Sequence, residues 1–172
     1  SVAAKSGSTG QMVFVTVLHT ISGPRGVSCL EEHDIVYREA AKPGEQQRAA
    51  TPAPSDPTWT KRLTPDPVLL FRFSALTFNG HRIHYDHPYV TGVEGYPGLI
   101  VHGPLMGMLQ IELGRRTNPK KKLKAFEFRA LSPVFANAPI TVGARSEPDG
   151  SLVTWVANEN GGLAQQGKVS FG

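Results

Sequence analysis

At 172 residues, with 40% hydrophobic and 19% charged residues, the chain has the balance of a soluble globular protein and room for one domain, or one and a half small ones. Its net charge of +4 is mild, and although Lys120 to Lys122 and Arg115-Arg116 are basic clusters, no aromatic-basic interleaving or zinc-ligand spacing points to nucleic acid. No apolar run approaches the roughly 18 residues that a membrane helix needs, and the single cysteine, Cys29, excludes an internal disulfide and suits a reducing compartment.

Ser1 to Gly10 lacks the charged-then-apolar pattern of a signal peptide. Gln11 to Ile21 predicts a strand, because Met12, Phe14 and Leu18 alternate with Val13, Val15 and Val17 and both faces look covered. Gly23-Pro24-Arg25-Gly26 is a turn signature, and Val27 to Arg38 predicts a second long strand paired with the first. Cys29 falls in that strand and reads as a packing residue. Two strands do not make a domain alone. Residues 41–57, rich in Ala, Pro, Gln and Ser without periodicity, predict a linker, and Thr58 to Leu63 a strand anchored by Trp59.

Val68 to Thr77 predicts a helix or turn leading into a dense polar stretch. Within eight residues it holds an amide (Asn79), two imidazoles (His81, His84), a guanidinium (Arg82) and a carboxylate (Asp86). His81, His84 and His87 have a spacing that would face one way on a helix and so could ligate a metal; Gly80 and Pro88 argue for irregular chain instead, and no metal is expected. Glycine-rich chain from Val90 to Gly98 then leads to Gly103-Pro104, a small residue followed by proline, which is how helices start. From Leu105 to Leu113 apolar residues cover nearly the whole circumference, predicting a buried helix. Four strand-like runs follow, Leu123 to Leu131, Pro139 to Ser146, Leu152 to Asn158 and Ala164 to Phe171, with hairpin signals at Glu147 to Gly150 and Asn158 to Gly162. The expected fold class is α+β, a long buried helix wrapped by an antiparallel meander over residues 58–172.

The order of polar stretch, loop and glycine-started helix suits the handling of a small carbonyl compound. The stretch Phe78-Asn79-Gly80-His81-Arg82-Ile83-His84 resembles the pattern Gly-Asp-x-Asn-Pro-(Leu/Ile)-His of MaoC-like enoyl-CoA hydratases and dehydratases of the hot-dog fold. The terminal His matches; Asn79 stands where the pattern has Asp, and Arg82 where it has proline. Within that family the likeness is to the branch of hydroxyacyl-thioester dehydratase type 2 and 3-methylfumaryl-CoA hydratase. The resemblance implies that residues 1–40 are the closing hairpin of an N-terminal hot-dog unit whose helix and opening strands belong to a longer form of the chain or to another chain. It also implies a dimer, or a complex with a chain carrying the missing half.

The implied reaction is reversible hydration of an enoyl thioester, carried by CoA or an acyl-carrier protein, with no cofactor. Imidazole titrates near neutrality, so His84 is the natural acid/base. Family members pair this His with a carboxylate; a carboxamide does not titrate, so Asn79 would orient the water. The Gly103 amide, at a helix start with its partial positive charge, would donate to the developing oxyanion. Arg82, Tyr85, Asp86, His102 and Pro104 are expected around the substrate, with the simpler alternatives that Arg82 pairs with Asp86 and His102 packs. A non-catalytic acyl-thioester-binding or assembly protein and a hot-dog thioesterase are the alternative functions, and the expected location is cytoplasmic or the mitochondrial matrix.

Overall fold

A computed structural model of the protein describes residues 1–7, 10–38 and 50–172, so 41–49 of the expected linker lie outside the described residues. The chain divides into two units, Ser1–Gln47 and Arg48–Gly172.

In the first unit β1 (Val2–Gly7), β2 (Gly10–Gly23) and β3 (Gly26–Arg38) form an antiparallel sheet in that order. The hairpin read from the sequence is present, with Gly23 opposite Gly26 and Pro24-Arg25 at its tip. Strand β1 was not foreseen; it is too short for a clear alternation, and its pairing with β2, from Val2 opposite Val15 to Gly7 opposite Gly10, is what orders it. The register sets Val13 and Val15 opposite Tyr37 and Ile35 on one face, and Phe14 opposite Val36 on the other. Side chains alternate along a strand, so both faces are apolar. Leu18, Ile21, Val27 and Leu30 are exposed, and so is Cys29, which was expected to pack.

The second unit runs β4 (Trp59–Leu63), α1 (Pro67–Leu76), a single 3-10 turn at Arg82–His84, α2 (His87–Gly92), α3 (Gly103–Thr117), β5 (Leu123–Ala130), β6 (Ile140–Ser146), β7 (Leu152–Ala157) and β8 (Leu163–Phe171). The five strands form one antiparallel sheet ordered β4-β6-β7-β8-β5. Only β6, β7 and β8 are a meander: β5 sits at the far edge beside β8, which corrects the four-strand meander expected. The chain leaving β5 returns along residues 99–101, where Val101 N–H donates to the Val134 carbonyl (2.9 Å) and Ala136 N–H to that of Leu99 (2.8 Å).

Leu105, Met106 and Leu113 of α3 share one buried cluster with Ile140, Val142 and Val156 of the sheet. The helix comes close to the strands at Gly107, where a methyl group would meet the rings of Phe126 and Phe128 at 3.3 Å. It is not enclosed on all sides as its composition suggested: Met108 is 59% exposed, because a five-stranded sheet covers one side of a helix. The sheet's other face carries a second cluster, Trp155, Ala157 and Leu163, joined by Ala53. Residues 51–53 are bound along that hairpin, Leu163 N–H donating to Thr51 O (2.7 Å) and Ala53 N–H to Gly161 O (2.9 Å). The second half of the predicted linker is therefore ordered by backbone groups its own sequence does not reveal. α2 corrects the reading of Pro88 as a breaker: proline sits in the first turn, where its missing N–H is harmless. Among the described residues no helix is long and apolar enough to cross a membrane.

Candidate active site

Asp66 caps α1 by accepting from Leu69 N–H (2.7 Å), and Pro67 occupies the first turn, so the helix starts as its sequence directs. Its end is made by Phe78, whose φ of 52° lies in the left-handed region. An aromatic side chain seldom adopts that backbone, and this one is 96% exposed. The reversal lets Asn79 N–H donate to Ser74 O (2.9 Å). The Asn79 Oδ1 then accepts from His81 N–H (3.0 Å), which orients the carboxamide and leaves its NH₂ group free to donate.

The 3-10 turn brings His84 inward to 7% exposure. Its Nδ1–H donates to the Ile100 carbonyl (2.7 Å), and Ile100 N–H donates to Ile83 O (3.0 Å), so the 3-10 turn and the segment before α3 hold each other. A carbonyl only accepts, which fixes the tautomer and leaves Nε2 with its lone pair. Burial, foremost, lowers the His84 pKa from 6.5; the Ile100 bond opposes this, and the charge of His81 adds to it. The ring is a neutral base at physiological pH.

His102 lies against it, ring centroids 3.7 Å apart and planes 18° from parallel. Its Nε2 meets Ser74 Oγ at 2.8 Å. His102 is also the N-cap of α3, without a side-chain capping bond, so Gly103 and Pro104 open the first turn. The N–H of Gly103 has no acceptor within the helix, as for any first-turn amide. The Gly103 carbonyl accepts from Gln165 Nε2 (3.0 Å), Gln165 Oε1 from Gln110 Nε2 (2.6 Å), and Gln110 Oε1 from the Thr154 hydroxyl (2.7 Å). These three polar side chains are fully buried, and each satisfies the next.

Arg82, Tyr85 and Asp86 are engaged in holding the loop. Arg82 donates to Asp86 Oδ2 from Nε (3.0 Å) and Nη2 (2.8 Å) and lies 4.0 Å over the Tyr89 ring. Their hydrogen bond, foremost, raises the Arg82 pKa and lowers that of Asp86. Asp86 also caps α2 through Tyr89 N–H (3.0 Å), and Tyr85 donates to Gly80 O (2.9 Å). Pro104 is exposed. A shallow groove of about 300 Å³ runs beside the loop, lined by Phe71, Phe78, Asn79 and Tyr85 among others. A hollow of about 400 Å³ on the other face of the sheet contains none of these residues.

The structure thus gathers His84, His102 and the Gly103 helix start, while Asn79 lines the groove, whose lining includes none of these three. Sequence reasoning missed Ser74, the Ile100 carbonyl and the Gln165–Gln110–Thr154 chain. Only Gln110 carried a signal, as a lone polar residue within an apolar helix.

The hydroxyacyl-thioester dehydratase type 2 family model matches residues 2–136. Mesaconyl-C(4)-CoA hydratase of Chloroflexus aurantiacus is 44% identical over 100% of this chain and 61% of its own length. The mitochondrial hydroxyacyl-thioester dehydratase type 2 of Schizosaccharomyces pombe is 36% identical over 83% of this chain and 48% of its own. The chain therefore spans half to three-fifths of these relatives. The crystal structure of HtdX from Mycobacterium tuberculosis matches with a TM-score of 0.70 at 18% identity, over 98% of this chain and 66% of that one, a likeness of fold. With its motif, helix start and matched length in agreement, the chain belongs to the hydroxyacyl-thioester dehydratase type 2 family.

Proposed function

We propose that this chain catalyses the reversible hydration of an enoyl thioester to the 3-hydroxyacyl thioester, with CoA or an acyl-carrier protein as the carrier. His84 Nε2 takes a proton from a water molecule as its oxygen bonds to C3. Asn79 holds that water through its NH₂ group, and the Gly103 N–H donates to the thioester oxygen as negative charge moves onto it. His84 then returns the proton to C2. Each such oxyanion donor is worth about 2.7–4 kcal/mol of barrier. The exposed Pro104 and Tyr85 are assigned to the rim that meets substrate, with Arg82 and Asp86 shaping it through their ion pair. Residues 1–40 are assigned as the closing part of a second hot-dog unit, with a homodimer or a partner chain completing it.

One observation carries the reading: Nδ1 of the buried His84 is bound to Ile100 O, so its base, Nε2, is left for the substrate, while the same ring rests on the residue that opens α3. The test is crotonyl-CoA monitored at the enoyl absorbance and, in parallel, for free thiol. Loss of absorbance without thiol is the expected result. Thiol release would make the protein a thioesterase, and neither signal from the folded protein would make it a binding or assembly module.

A further inference from the structure

Among the described residues the buried ionisable side chains are His84 and His102, and the reaction as written uses only the first. His102 is 0% exposed. One face of its ring lies on His84, Phe73 meets it edge-on at 4.8 Å, and Ser74 Oγ accounts for Nε2. Its Nδ1 is buried with no partner.

A ring that merely filled space would not need nitrogen there, since an orphaned polar atom in the interior is unfavourable. The environment also disfavours a second proton. An imidazolium has two N–H groups to satisfy, and this site offers one acceptor, Ser74 Oγ. A charge on His102 would moreover face His84, which becomes positive each time it accepts the water's proton. An uncharged ring beneath an imidazolium is instead attractive, through its π electrons. The stack does a second thing. A single hydrogen bond at Nδ1 leaves the His84 ring free to turn about that bond, and a flat partner 3.7 Å below removes the freedom.

We propose that His102 is a positioning residue: tethered to α1 by Ser74, its uncharged ring sets the plane of His84, aims Nε2 at the water, and ties that aim to the Gly103 amide next in the chain. The proposal rests on the hydration reading above. His102 Nε2 points toward Ser74 rather than toward substrate, so His102 acts through His84 and the helix start. Around the pair, α1 contributes Phe73 and Ser74, both uncharged, and the loop contributes His81, 5.6 Å from His84. Burial, with the charge of His84 second, lowers the His102 pKa from 6.5 to about 4, so the ring is neutral at physiological pH.

The first measurement is an NMR titration of the labelled histidines in the unaltered protein. His102 should hold its neutral shifts while the pH falls well below 6.5, its ordinary value; titration at or above that value overturns the proposal. The second compares His102→Gln and Ser74→Ala in enoyl-CoA hydration. His102→Gln should lower kcat at least about tenfold with KM changed less than about threefold, a loss of aim rather than of binding. The acidic limb of kcat/KM should also move up toward 6.5, because His84 gains water when the ring above its buried face is gone. Ser74→Ala should move both quantities the same way by less. Full kcat with an unmoved limb in Ser74→Ala and His102→Gln overturns the positioning role, as does a loss confined to KM. If His102→Gln does not fold, the titration and Ser74→Ala decide. An unaltered protein inactive on every enoyl thioester sinks the hydration reading and this proposal with it; an active one with indifferent variants sinks the proposal alone.

Discussion

An imidazole that has given its only N–H to a backbone carbonyl has one nitrogen left for chemistry, and at His84 that is Nε2. His84→Ala should lower kcat by about 10²–10⁴, the usual contribution of a positioned acid/base, and circular dichroism should be unchanged, because the loop is held by Arg82, Asp86 and Tyr85 as well. Retention of more than about a tenth of the rate would remove His84 from the mechanism. Asn79 permits a finer test. Its Oδ1 accepts from His81 N–H, a bond that Asp also makes, so Asn79→Asp should keep the loop, retain turnover and add a second ionisation to the pH–rate profile. Asn79→Ala should lose most of the rate, and an Ala variant with full activity would mean that the water is held elsewhere. Asn79 and His84 were picked out in the sequence by the motif's five-residue spacing, and their roles are what these variants test. Ser74 and the Ile100 carbonyl were not: one is a serine in the last turn of a largely apolar helix, the other a backbone atom with no sequence signature.

Elements were legible where they are local and lost where they depend on distant chain. Alternation gave β2, β3 and β6 to β8, and the Gly103-Pro104 pair gave the start of α3 to within one residue. Nothing within Leu123 to Ala130 says that the strand lies beside β8 rather than β6, since that is decided by where the following segment finds hydrogen bonds, at Leu99 and Val101. The same limit hid the ordering of residues 51–53. Packing across strands is equally silent in sequence. Gly143 lies opposite Trp155, and any side chain there would overlap the indole. Gly143→Ala should therefore destabilise the second unit by about 1–3 kcal/mol, the range for an overpacked core. Denaturant unfolding followed by Trp fluorescence measures it, and an unchanged midpoint would mean that the indole has another place to go.

At the scale of the whole molecule, acid should be the destabilising condition. His102 in the folded chain takes its proton near pH 4, whereas in the unfolded chain it does so near 6.5. Between those values the unfolded state binds more protons, so stability is complete above 6.5 and is lost as the pH falls, by up to about 3 kcal/mol from this group. His84 acts in the same direction. Urea midpoints measured from pH 7 to 4 should fall accordingly, and His102→Phe should flatten the curve. The first unit has apolar side chains on both faces of three strands, with Leu18, Ile21, Val27 and Leu30 exposed, more than such a sheet sustains alone. Light scattering at micromolar concentration should find a dimer; an active monomer would mean that these faces need no second chain.

The chain from Thr154 through Gln110 and Gln165 to Gly103 has a direction, every donor pointing toward the start of α3. Neither carboxamide can turn over alone without setting oxygen against oxygen or nitrogen against nitrogen, so the two are locked as one object. Their four amide protons are in effect a clock, readable only when the sheet and α3 part. Deuterium should replace them no faster than it replaces the slowest backbone amides of β7 and β8. Earlier replacement at Gln165 alone would mean that the helix start loosens while the sheet stays closed.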